Sequence, residues 1–202
     1  MRDALYRILD NPRIFSLVQS LLGARRVYDA VQKHCLPLVE KAGGQYVLDV
    51  GCGTGSLRSM FSGGYYGIDI HFDYLSHARR ATNSHFIQGN ALALPVQSGI
   101  ISLVFSFGLV HHLSEEQRGT FYEEVWRICE PGGTILIVDG LIPSQALNLP
   151  GYALAKLDRG PHKMRRKDFI AMIETAFPDA QWCGFDFIRL FPYELAFATI
   201  RK

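Results

Sequence analysis

The chain is short of the features that mark several protein classes. Its four cysteines, Cys35, Cys52, Cys129 and Cys183, form no C-x-x-C pair and no cysteine/histidine cluster of zinc-ligand spacing. That excludes a disulfide framework or a local zinc module and makes reduced thiols in the cytoplasm the simplest expectation. Long apolar runs are missing: the longest, IISLVFSFGLV from Ile100 to Val110, falls well below the roughly 20 residues that span a bilayer. The N-terminus has no continuous apolar signal core. Excess charge is missing too, since a formal net charge of +2 over 202 residues predicts no general attraction to polyanions, and no nucleic-acid partner is expected. There is no internal repeat and no low-complexity segment.

What remains is globular material. Apolar residues make up 48% and charged ones 20%, and the length suits a single domain with a substantial core. Asn11-Pro12 fits cap and first-turn positions of a helix whose apolar face is Ile14, Leu17, Val18, Leu21 and Leu22, with Gly23 as the stop. A second helix is expected from about Val27 to Lys41. YVLDV then reads as a short strand buried on both faces. Alternation follows: a helix after Gly55, strand YYGIDI (Tyr65 to Ile70), helix Phe72 to Ala81, strand HFIQGN (His85 to Asn90) and strand ISLVFSF (Ile101 to Phe107). A capping box, Ser114-Glu115-Glu116-Gln117, opens a helix through Ile128, which Pro131-Gly132-Gly133 ends before strand TILIVDG, Thr134 to Gly140. Such a rhythm implies right-handed crossovers and a parallel sheet. An irregular stretch is expected from Leu141 to Arg166, then a helix from Lys167 to Phe177. The last two strands, QWCGFDFIRLF and ELAFATI, are too close for a crossover and should pair as an antiparallel hairpin.

Within VLDVGCGTGSL, glycines recur at 51, 53 and 55 after a buried strand, at the carboxyl edge where doubly wound sheets bind ligands. A dinucleotide fingerprint would place its third glycine at position 56, which is Ser56; it comes one residue early, at Gly55. Asp49, just before the turn, would be awkward beside a pyrophosphate and favourable beside a cationic amino-acid group. On these residues, and on YYGIDI, GNALALPV, FSFGLVHHL and EPGGTILIVD in order over roughly residues 45 to 140, the chain resembles the class I S-adenosylmethionine-dependent methyltransferases of small-molecule type, including the quinone-biosynthesis C-methyltransferases. The resemblance implies an α/β, Rossmann-like doubly wound sheet of seven strands, mostly parallel, with a C-terminal antiparallel hairpin. It further implies one methyltransferase domain over 1–202: an N-terminal helical lid (1–44), a cofactor-binding core (45–140), an acceptor-side insertion (141–166), and a helix with the terminal hairpin (167–202).

Carried across position by position, the resemblance places the methionine end of S-adenosylmethionine on Asp49, Gly51, Cys52, Gly53 and Gly55. It places the ribose on Asp69 beside Ile70, the adenine near Asn90 and Ala91, and Ser106 where cofactor and acceptor meet. The family usually has an acidic residue at the adenine position; the amide oxygen of Asn90 can still accept from the exocyclic amine. His111 and His112 are candidate general bases, of which adjacency should leave only one facing the site. No metal is required. The D/N-P-P-Y/F tetrapeptide of enzymes that methylate nucleobase amines is absent, strand four ending instead in Phe105-Ser106-Phe107-Gly108. Acceptor choice is assigned to variable parts of the chain. These are the first helix, with Arg2, Arg7 and Arg13 among Leu5, Ile8, Leu9, Ile14 and Phe15, and the insertion, with Lys156, Arg159, His162, Lys163, Arg165, Arg166 and Lys167. Tyr28 and Arg159 would face an apolar, lipid-like or anionic acceptor, with peripheral membrane contact as one outcome and an ordinary solvated basic face as the other. Two alternatives stay open: a catalytically silent protein that binds S-adenosylmethionine, and an NAD-dependent oxidoreductase.

Overall fold

The computed structural model describes residues 11–43, 46–158 and 160–202. Two helices lead, α1 (Pro12–Leu21) and α2 (Ala24–Ala42), joined through Gly23 in the left-handed region at φ 79°. Then come β1 (Tyr46–Val50), β2 (Gly64–Asp69), α3 (Phe72–Ala81), β3 (His85–Gln88), β4 (Ile101–Phe107), α4 (Glu115–Ile128) and β5 (Cys129–Gly140). The chain finishes with α5 (Leu149–Leu157), α6 (Arg166–Ala176), β6 (Trp182–Leu190) and β7 (Tyr193–Arg201).

The strands form one seven-stranded sheet in the order β3-β2-β1-β4-β5-β7-β6. Pairing is parallel from β3 through β5 and antiparallel at β5–β7 and β7–β6. This is the Rossmann-like arrangement the alternation implied, with the hairpin in place. The chain leaves β1 toward one edge of the sheet and returns to β4 beside β1, so their carboxyl ends flank the switch point where such sheets open a ligand crevice.

Strand alternation divides the core into two layers. Leu48, Val50, Val104, Ile135 and Ile137 face α4 and α6 through Phe121, Val125, Phe169 and Ile173. Val47, Leu103, Phe105, Leu136 and Val138 face α2 and α3 through Val31, Cys35, Leu75 and Ala78. The α4 capping box is present: Ser114 Oγ accepts from the Gln117 N–H and Gln117 Oε1 from the Ser114 N–H.

Three expectations need correction. The segment after Gly55 is no full helix but a single 3-10 turn, Arg58–Met60. Only eight residues separate Gly55 from Gly64, where β2 begins, and they close by bonds such as Arg58 N–H to Gly55 O and Phe61 N–H to Arg58 O while burying Leu57, Met60 and Phe61. Pro131-Gly132-Gly133 does not precede β5 but lies inside it. Pairing with β4 jumps from Ile101–Cys129 to Leu103–Thr134, and Gly132, at φ 75°, donates to Lys202 O, so the glycines form a bulge. The stretch from Leu141 to Arg166 also holds a helix, α5, whose start is capped by the Asn148 amide oxygen on the Gly151 N–H.

Candidate functional site

At the switch point opens a cleft of about 890 Å³, lined by the turn after β1, the ends of β2 and β4, and the segments after β3 and β5. Its outer walls come from α1, α2, α5 and the β6–β7 turn. Gly51, Gly53 and Gly55 all have positive φ (78°, 53° and 72°), which is the requirement that fixes glycine there. A Cβ at Gly51 would crowd Leu109 at 3.2 Å, one at Gly55 would press on Phe86 at 3.1 Å, and one at Gly53 would meet nothing within 4 Å. Gly53 is therefore where a ligand can lie against bare backbone. Gly55 faces the core and shapes the turn without lining the cleft.

Two carboxylates hold the turn's geometry. Asp69, at the end of β2, accepts the Gly53 N–H on Oδ2 at 2.8 Å and the His71 N–H on Oδ1 at 2.8 Å. The second contact lies next to the start of α3, so the aspartate serves the helix entrance as well as the turn; each oxygen keeps a lone pair toward the cleft. Asp49 is buried, with the Tyr65 hydroxyl donating to Oδ2 at 2.7 Å. Burial pushes its carboxyl up to about 7, partly offset by the Tyr65 bond and reinforced by Asp69. Among the described residues no cation lies within ion-pair distance of it, so a ligand ammonium group would complete its environment.

Cys52, Ile70, Asn90, Ala91 and Tyr28 also line the cleft. The Asn90 amide oxygen accepts the Leu92 N–H at 3.0 Å. That leaves its amide N–H2 and a second lone pair on the oxygen without a partner in the hydrogen bond to Leu92. Tyr28 meets Phe107 edge to face at 6.0 Å. Ser106 is not on the cleft wall: alternation turns it away from the side of Phe105 and Phe107, and its buried hydroxyl donates to Val50 O at 3.0 Å, tying β4 to the end of β1. Arg2, Leu5, Arg7, Ile8, Leu9 and Arg159 lie outside the described residues, as do the side chains of Arg13 and Phe15.

Both histidines reach the cleft, in unequal states. His111 is buried; its backbone N–H donates to Asp139 Oδ2 at 2.9 Å, its Nδ1 pairs with Asp139 Oδ1, and its Nε2 lies 3.2 Å from Asp158 Oδ1. Burial alone would lower His111, but Asp139 and then Asp158 outweigh it and carry it up to about 9. With both ring nitrogens engaged by carboxylates, His111 has no lone pair for a substrate proton. His112, on the cleft side, is brought down to about 4 by lost solvation and then by its charged neighbour, and is neutral at pH 7. Asp158 is held well below the usual carboxylate range by His111 and Lys163, whose Nζ sits 3.3 Å from Oδ2.

Asp139, Asp158 and Tyr65 are the functional candidates that sequence reasoning missed. Asp139 had a signal, since it closes an apolar strand as Asp49 and Asp69 nearly do; Asp158 sits past the end of a helix that was not foreseen. The basic insertion is also partly spent internally. Lys163 pairs with Asp158, and Arg166 pairs with the buried Glu194 while its guanidinium lies 4.6 Å from the Phe187 ring centre.

Glycines at positive φ at the switch point, Asp69 at the end of β2 and the buried Asp49 within β1, on a sheet that ends in an antiparallel hairpin, are features that a nucleoside cofactor with a cationic amino-acid tail would require. Comparison with known proteins gives the family. A methyltransferase-domain model matches residues 47–133. An uncharacterized methyltransferase of Synechocystis is 30% identical over 71% of this chain and 70% of its own length. The ubiquinone/menaquinone biosynthesis C-methyltransferase of Blochmanniella floridana is 35% identical over 52% of this chain, but the match spans only 45% of that enzyme. In structure, a SAM-dependent methyltransferase from Archaeoglobus fulgidus superposes with a TM-score of 0.70 at 14% identity, covering 87% of this chain and 94% of its own. The chain belongs to the class I S-adenosylmethionine-dependent methyltransferases, an enzyme family whose cofactor is S-adenosylmethionine. The oxidoreductase alternative falls with that assignment. No helix among the described residues is long and apolar enough to cross a membrane.

Proposed function

We propose that the enzyme methylates a small, largely apolar acceptor carrying one polar end. The observation that carries this is the mixed lining of the cleft. Beside Asp49, Asp69 and the glycine turn from β1 and β2, it is lined by the apolar Val18, Leu22, Leu154 and Leu157 and by the polar His112, Asp158 and Lys163. Apolar walls with a few convergent polar groups suit an oriented small molecule. The names of the quinone-biosynthesis relatives point to the same acceptor class. Leu21, Leu149 and Leu157, exposed by 78%, 71% and 69%, extend the apolar surface along the same helices. That favours an acceptor met at a lipid surface, with α1 and α2 as the cover.

Bound S-adenosylmethionine supplies an electrophilic methyl on a sulfonium. In our reading the protein orients and excludes water. Asp49 takes the methionine ammonium, the Gly53 backbone lies along the methionine chain, and Asp69 takes the ribose hydroxyls. Asn90 and Ala91 meet the adenine, and Tyr28 closes the side near Phe107. The acceptor's polar end rests by His112, whose ring has no hydrogen bond among the described residues and offers the nitrogen to which a leaving proton can go.

The charge on Asp49 gives this a pH signature. Its carboxyl stands near 7 and only the ionised form attracts an ammonium group, so cofactor affinity should rise about tenfold between pH 6 and pH 8. Calorimetric titration should show that rise flattened in Asp49→Asn; an equal slope in both proteins would remove the assigned role.

The function itself is tested by incubating the enzyme with methyl-labelled cofactor and, in parallel, a lipid extract, the aqueous metabolites and total RNA, with and without anionic vesicles. Label in the lipid extract is expected. Label in RNA alone would overturn the acceptor class, an outcome to include because relatives named as tRNA methyltransferases also match this chain. Tight cofactor binding with no labelled product in any fraction would favour the silent, regulatory alternative.

A further inference from the structure

We propose that the cleft contains a divalent-metal site of zinc type, formed by His111 Nε2, His112 and Asp158, with Asp139 as the outer carboxylate that orients His111. One ligand atom from each of the three residues lies within 4.8 Å of the others. Two of them already stand at coordination spacing. His111 Nε2 and Asp158 Oδ1 are 3.2 Å apart, and two atoms each about 2.0–2.1 Å from a tetrahedral zinc ion are separated by about 3.3 Å. The third ligand atom, on His112, lies within the same 4.8 Å, and that side chain is exposed on the cleft side and held by no hydrogen bond among the described residues, which leaves it free to turn toward the other two.

The surroundings have the features that metal histidines require. His111 gives Nδ1 to Asp139, a fully buried carboxylate that also accepts the His111 backbone N–H at 2.9 Å, so the ring is fixed with Nε2 directed at Asp158. Gly160 makes room: a Cβ there would fall 1.9 Å from His111 Cδ2, so the backbone at Gly160 packs against the imidazole. Asp158 is set by the Gly160 N–H at 2.8 Å and by Lys163 on its other oxygen.

Apart from the imidazoles, Asp139, Asp158 and Lys163 leave the cluster one net negative charge. A divalent ion turns this into one net positive charge, which an acceptor oxygen or hydroxide can neutralise. Two imidazoles and one carboxylate select borderline ions such as zinc over magnesium or calcium. Three protein ligands leave a position open to the cleft, where an acceptor hydroxyl would bind and become more acidic. In that state His112 is a ligand and no longer a proton acceptor.

The test is independent of the acceptor. Metal-stripped protein is titrated with Co²⁺, followed by its visible ligand-field absorption, and then back-titrated with Zn²⁺. Binding of one ion in the micromolar range or tighter is expected, displaced by zinc, and weakened about a hundredfold in His112→Ala and Asp158→Asn but not in His85→Ala, which lies on the far edge strand. Cofactor affinity, measured by calorimetry on the same samples, shows whether each variant is folded and keeps this question separate from the methyltransferase reading. No binding to the wild type, binding unchanged in both cluster variants that hold cofactor, or equal loss in His85→Ala would overturn the site.

Discussion

Replacing Asp69 by alanine should weaken S-adenosylmethionine binding by about a hundredfold or more. The carboxylate holds two backbone donors, the N–H of Gly53 and that of His71, each at 2.8 Å, and its remaining lone pairs are assigned to the ribose. A hydrogen bond to a charged group contributes about 1.5–3 kcal/mol, so losing the ribose contacts alone removes roughly two orders of magnitude. Releasing the Gly53 N–H adds disorder in the turn that must meet the ligand. Asp69→Asn should be milder, since its amide oxygen can keep one contact. Calorimetric titration of both variants decides it, and a loss below threefold in Asp69→Ala would mean that the carboxylate only braces the turn.

A second large effect is expected on stability. Asp139 is fully buried and accepts the backbone N–H of His111 at 2.9 Å, that of Gly140 at 2.6 Å, and a hydrogen bond from the His111 ring. Its truncation to alanine orphans those donors and leaves a buried imidazolium with only Asp158 as partner. Breaking one side of a buried pair costs about 3–5 kcal/mol, which for a chain of this size lowers the melting temperature by roughly 10 °C. Thermal and urea unfolding should agree on this. A change under about 1 kcal/mol would show that the pair is far better solvated than its burial implies. The double replacement Asp139→Asn with His111→Asn should recover part of the loss, because it removes both charges together.

The sheet was legible because its strands are short, apolar and separated by glycine, and because parallel strands buried on both faces read as continuous runs. YVLDV and ISLVFSF coincide with β1 and β4 to the residue. The errors share a physical origin. Glycine has two uses, as terminator and as bulge, and the pattern Pro131-Gly132-Gly133 does not tell them apart; pairing with the chain's last residues decides. The α5 helix escaped because its sequence, LPGYALAKL, opens with proline and glycine, and its Asn148 cap was read as part of a loop.

The glycines and carboxylates of the cleft were likewise visible, since glycine at positive φ and carboxylates at strand ends are local requirements. The acceptor side was not. His111 looked like a base because its neighbours in sequence say nothing of Asp139, twenty-eight positions away, or of Asp158. The same holds for Ser106, whose hydroxyl is spent on Val50 O, a partner supplied by the adjacent strand.

The turn between β6 and β7 has a bearing on biosynthesis. Tyr193 donates its hydroxyl to Leu22 O across 171 positions of sequence, and Pro192 to Leu195 share the cleft with Val18 and Leu22. The α2 helix already packs on β1, β4 and β5, but the wall built by the first helices is completed only when strand β7 has been made and inserted between β5 and β6. A nascent chain can form the glycine turn early, but the apolar wall of the cleft is completed last, when a contact 171 positions apart in sequence closes.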